Sequence, residues 1–102
     1  MVNGREGRCY QLAYDYLLDE PDGILIHAEV DSKALGCRID HALVRTKDGF
    51  IYEPVLDRHY EKDFLYSTYN VKEQNTYTLQ QAIEEALRTG HYGPWEETNI
   101  IK

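Results

Sequence analysis

Cys9, His41 and Glu53 are the residues whose types and order can carry chemistry. A thiolate nucleophile, an imidazole base and a carboxylate that orients the imidazole are the three parts of cysteine-based acyl transfer. Cys9 stands at the start of an apolar helical pattern, where free amides and the helix dipole favour the thiolate. The same amides can bind the oxyanion that forms when a carbonyl is attacked. Each residue also has a plainer reading. Cys9 shares an apolar face, and free cysteine is among the most buried residue types. His41 can simply bond Asp40 or a backbone carbonyl, and Glu53 can be a solvated strand residue. His27 is the rival base, because it too lies in an expected strand. His59 and His91 fall in expected loops, and Cys37, beside Gly36, reads as an ordinary thiol. Cys9, His27, Cys37 and His41 show neither Cys-x-x-Cys nor His-x-x-x-His spacing, so no metal site and no cofactor is expected.

The elements that must position these residues follow from periodicity. Residues 8–20 form a helix, with Cys9, Leu12, Ala13, Tyr16 and Leu17 on one face and Pro21-Asp22-Gly23 as its stop. Residues 24–30 alternate as a strand, and residues 31–39 read as a polar connection. Residues 41–46 and 50–56 are two β-rich runs joined by Lys47-Asp48-Gly49. That tripeptide suits a three-residue hairpin loop with a left-handed glycine. Thr46 then faces Phe50, Leu43 faces Glu53 and His41 faces Val55, so His41 and Glu53 share a face as diagonal neighbours. A two-residue loop would put them on opposite faces, since a one-residue slip flips every side chain. Residues 57–70 read as a loop with a helical turn, and residues 71–77 as a further strand. The last helix begins at the Thr78-x-x-Gln81 capping box and stops at Gly90, with Ile83 at the centre of its apolar stripe. The order helix, four strands, helix is that of an α+β fold: an N-terminal helix packed on an antiparallel sheet with a C-terminal helix.

The stretches GRCYQLAYDYLL, ILIHAEV and DHALVRTKDGFIYEPV together resemble the core of papain-like and transglutaminase-like proteins. Those proteins place a cysteine at a helix start, a His-Ala-apolar-Val run at a strand start, and an acid before proline on the next strand. The resemblance spans residues 7–56, about half the chain. It implies a papain-like/transglutaminase-like core with Cys9 as nucleophile, His41 as general base and Glu53 as orienting acid. It further implies a peptide, protein or small amide or thioester substrate. The chain departs from the pattern in having Glu where Asp or Asn is common, and Leu43 where Trp is frequent. It has no glutamine upstream of Cys9 to complete an oxyanion hole.

Composition bounds the rest. The chain has 102 residues, enough for one domain over residues 1–102 and too few for two. A net charge of −7 and a pI near 4.9 argue against binding nucleic acid or an anionic membrane surface. No apolar run approaches the roughly 18 residues of a transmembrane helix, and the first residues lack a signal-peptide core. A cytoplasmic protein is expected. Two cysteines make no disulfide framework. The function expected first is a small cysteine hydrolase or acyltransferase. The alternative is a non-catalytic protein- or peptide-binding module on the same fold, of phage or mobile-element origin, whose cleft would draw on the chain's nine tyrosines.

Overall fold

The computed structural model describes residues 8–33 and 35–95. The i, i+3, i+4 stripe of the first segment forms α1 (Cys9–Asp19), which buries Cys9, Ala13 and Leu17. Gly23 then donates its N–H to the Glu20 carbonyl at 3.0 Å and turns the chain into the sheet.

β1 (Ile24–Ser32) and β2 (Cys37–Arg45) pair over their whole lengths, from Ile24 opposite Arg45 to Ser32 opposite Cys37. This corrects the expectation of a polar connection over 31–39. His41 lies within β2, opposite Ala28, rather than at its start. The far end of this hairpin is held by charge. Arg38 and Asp31 are cross-strand partners at 2.7 Å, and Arg38 also donates to the Glu29 carbonyl at 3.1 Å. Such pairs stabilise a ladder without an apolar alternation to announce it.

The next hairpin keeps the expected register. Thr46 N–H donates to the Phe50 carbonyl at 2.8 Å, and Gly49 adopts φ 92°. β3 (Ile51–Glu53) therefore sets Arg45 opposite Ile51 and Val44 opposite Tyr52. It ends sooner than its apolar run, since Pro54 has no N–H to offer a ladder. Residues 57–70 contain two elements where a loop was expected: β4 (Arg58–Tyr60), paired to β3, and α2 (Lys62–Tyr69). His59 thus belongs to a strand and bonds the Tyr16 hydroxyl at 2.8 Å. β5 (Lys72–Tyr77) pairs with the other edge of β1. α3 (Leu79–Thr89) has the capping box, with Thr78 and Gln81 exchanging bonds at 2.9 and 3.2 Å, and ends at Gly90 with φ 78°.

The strands lie in the order β4-β3-β2-β1-β5, with every neighbouring pair antiparallel. Among the described residues the fold is α+β, a five-stranded antiparallel sheet with three helices. On one face Leu25, Ala42, Val44 and Tyr52 pack with Ala13 and Leu17 of α1 and Ala82 of α3. Trp95, from the segment after α3, folds back into this cluster. On the other face Ile26, Ala28, Leu43 and Ile51 pack with Leu65 of α2. No helix among the described residues is long and apolar enough to cross a membrane.

α3 docks differently from its expected stripe. Ala82 is fully buried, Ile83 is half-buried and Leu87 is 80% exposed. The helix meets the core through Ala82, with Leu79 and Ala86 packed partly buried beside it, and turns Leu87 outward. Leu17→Ala is therefore expected to cost on the order of 2–5 kcal/mol. Ile83→Ala should cost about 1 kcal/mol or less, the scale of a partly exposed site. Urea midpoints of the two variants test this, and equal shifts would show that Ile83 belongs to the core.

Candidate active site

α1 begins at Cys9, and Arg8 supplies no side-chain cap. The amides of the first turn, at Cys9, Tyr10 and Gln11, therefore have no intrahelical acceptor. Leu12 is the first to close a turn, donating to the Arg8 carbonyl at 2.9 Å. Burial leaves the Cys9 side chain only 9% exposed.

The hairpin register brings His41 and Glu53 together, as their shared face requires. His41 Nε2 hydrogen-bonds with Glu53 Oε2. The second carboxylate oxygen accepts the Leu56 N–H at 2.8 Å, so the turn after β3 fixes the carboxylate in place. The Cys9 thiol lines the same cleft as the His41 ring and is among the groups that raise the pKa of that ring. With Nε2 committed to the carboxylate, Nδ1 is the nitrogen left for sulfur. The three residues found in the sequence thus lie together, with the imidazole bonded to the carboxylate and the thiol in the same cleft wall.

The electrostatics follow from this arrangement. Burial pulls the His41 pKa down, but hydrogen bonds to Cys9 and Glu53, with the charges of both, outweigh it and raise it to about 9. The imidazolium is therefore favoured through neutral pH. Cys9, His41 and Glu53 all line one cleft of about 500 Å³. Its remaining wall is mainly aliphatic, with Leu43 from β2, Leu65 from α2, and Val71. Tyr69 is the one tyrosine among the described residues that line it, so the cleft is not tyrosine-rich.

His27, the rival base, lies elsewhere. It is 3% exposed, on the α1 and α3 face, boxed by Tyr10, Tyr77 and Trp95 at ring separations of 4.7, 5.0 and 5.1 Å. Neither ring nitrogen has a hydrogen-bond partner among the described residues. Burial lowers its pKa to about 4, so it is a neutral core residue. Cys37 is exposed at the start of β2. His91 anchors the segment after α3: its Nδ1 accepts the Gly93 N–H at 3.1 Å, and its carbonyl accepts the Trp95 indole N–H at 3.0 Å. No group of three or more His, Cys, Asp or Glu among the described residues is placed to hold a metal ion.

Sequence reasoning missed the Leu56 amide that holds Glu53, and the α2 side of the cleft. The i, i+4 spacing of Leu65 and Tyr69 is the signal that pointed to the latter. No family model, no curated protein and no solved structure matches the chain.

Proposed function

We propose that this chain is a small cysteine-dependent acyl-transfer enzyme, a peptidase, amidase or transglutaminase-like protein on a papain-like/transglutaminase-like core. The observation that carries the reading is the hydrogen-bonded pair His41 and Glu53, with Cys9 beside it in the wall of one open cleft. The order of the elements supports it: the cysteine opens a helix, and the histidine and the acid lie on the adjacent strands β2 and β3.

Cys9 Sγ adds to the carbonyl carbon of an amide or thioester, and the amides at the α1 start bind the oxyanion. The tetrahedral adduct collapses, the bond to the leaving amine or thiol breaks, and the His41 imidazolium gives that group its proton. Water or an acceptor amine then attacks the acyl-Cys9 thioester, with His41 as base, and the thiol is regenerated. Glu53 holds the imidazole with Nδ1 toward sulfur and supports its positive charge.

Competitive alkylation tests the reading. Exposure alone makes Cys37 the faster thiol, since Cys9 is buried. With iodoacetamide near pH 7, Cys9 is expected to be labelled at least about tenfold faster than Cys37, because the thiolate is the nucleophile. Peptide mass spectrometry against time reads both sites. Labelling of Cys37 alone would reject the enzyme and leave a binding module that holds a protein or peptide.

A further inference from the structure

The cleft beside Cys9 has a wall that attack on a carbonyl does not by itself require. Away from the three reactive residues, Val30, Leu43, Leu65 and Val71 line it, and exposed Leu35 and Leu56 stand at its mouth. Four of the other polar side chains that reach it are engaged or exposed. Asp31 accepts from Arg38 at 2.7 Å, and the Ser32 hydroxyl accepts the Leu35 N–H at 3.1 Å. Lys33 and Asp40 are exposed, with the Lys33 ammonium 5.9 Å from the Tyr69 ring centre.

A volume of about 500 Å³ is that of a pocket able to enclose a small-molecule ligand. A peptide amide laid against Val30, Leu43, Leu65 and Val71 would meet side chains with no hydrogen-bonding group, at a cost for each amide left unpaired. An alkyl chain carries no such groups and gains from every methylene removed from water. We propose that the acyl group carried by Cys9 is an unbranched apolar chain of medium length, delivered as an ester or thioester, with its tail in this cleft. The inference rests on the acyl-transfer reading above and adds its substrate class. In the step, Sγ forms a bond to the acyl carbon and the carbon–oxygen or carbon–sulfur bond to the leaving group breaks. The leaving group departs with the proton from His41, and water releases the fatty acid and restores the thiol.

The probe is a series of p-nitrophenyl esters from acetate to decanoate, below their micelle concentrations, with the full chain. Nitrophenolate release gives the rate, and mass spectrometry places the acyl group. Acylation of Cys9 is expected to quicken by about fourfold per added methylene until the cleft is filled, the factor that burial of one methylene corresponds to. Octanoyl should exceed acetyl by at least about a hundredfold on the same basis. Val71→Trp and, independently, Ile39→Trp narrow the cleft and should each lower the octanoyl-to-acetyl ratio by about tenfold or more. Equal rates for acetyl and octanoyl, with Cys9 acylated by both, would overturn the chain-binding proposal and leave the cysteine enzyme standing. So would a faster reaction with the N-acetyl-leucine ester, which would assign the cleft to peptides. Absence of acyl-Cys9 with every ester would overturn both.

Discussion

His41→Ala is expected to slow alkylation of Cys9 near pH 7 by about a hundredfold, the lower end of what a positioned acid–base group contributes. The imidazolium is the cation beside sulfur, and both its neighbours hold it in that form. Alanine removes the cation and leaves the Glu53 carboxylate facing Cys9 across the vacated space, so the thiolate loses its partner and gains a repulsive neighbour. Cys37, exposed and remote from this site, is the internal control and should react at the parent rate. Glu53→Gln should act in the same direction by about tenfold, because the amide keeps a hydrogen bond to the ring but not the charge. Rates measured for both cysteines in one reaction separate this from general unfolding, which would speed Cys9 instead. An unchanged Cys9 rate in His41→Ala would remove the imidazole from the chemistry.

Stability is expected to peak between about pH 6 and pH 7, near the ordinary histidine value of about 6.5, and to fall on both sides. The two buried histidines act in opposite senses. His27 has a folded pKa of about 4, below that of the unfolded chain. Its contribution is whole above about pH 6.5 and is lost as pH falls toward 4, because the unfolded chain takes up the proton first. His41 has a folded pKa of about 9. Its contribution is whole below about pH 6.5 and is lost as pH rises through 9, where the folded protein too gives up the proton. Each limb is worth on the order of 3 kcal/mol. Urea midpoints from pH 4.5 to pH 9 measure the profile. His27→Phe, which refills the aromatic box without a titrating group, should flatten the acid limb and leave the alkaline one. His41→Ala should do the reverse. An alkaline limb that survives in His41→Ala would mean that another group produces it.

Some of this protein is written in short stretches of residues. The capping box at Thr78 and Gln81, the stop at Gly90 and the left-handed glycine of Lys47-Asp48-Gly49 each depend on neighbours a few positions apart. Their outcome is decided by local backbone sterics and hydrogen bonds, which the sequence states directly. The glycine turn mattered most, because its length determines the parity of β3 against β2. That parity put His41 and Glu53 on one face before any tertiary contact was known.

Other features depend on partners far along the chain. The polar end of the β1–β2 hairpin is held by Arg38 across from Asp31, a pairing invisible until the strands are in register. β4 exists because β3 offers it an edge, and three residues carry too little pattern to declare a strand alone. Ile83 and Ala82 sit side by side on one stripe, and only the close docking of α3 chose the alanine. Cys9 at the start of α1 and His41 within β2 come to line one cleft although 32 positions of sequence separate them. The cleft itself is what the packing of α2 leaves open on its face of the sheet. Sequence alone settled which groups are present and which way two of them point, since side-chain parity is a local property. Their meeting with the thiol, their burial and the shape of the space before them are consequences of how layers pack, and tertiary structure alone decided those.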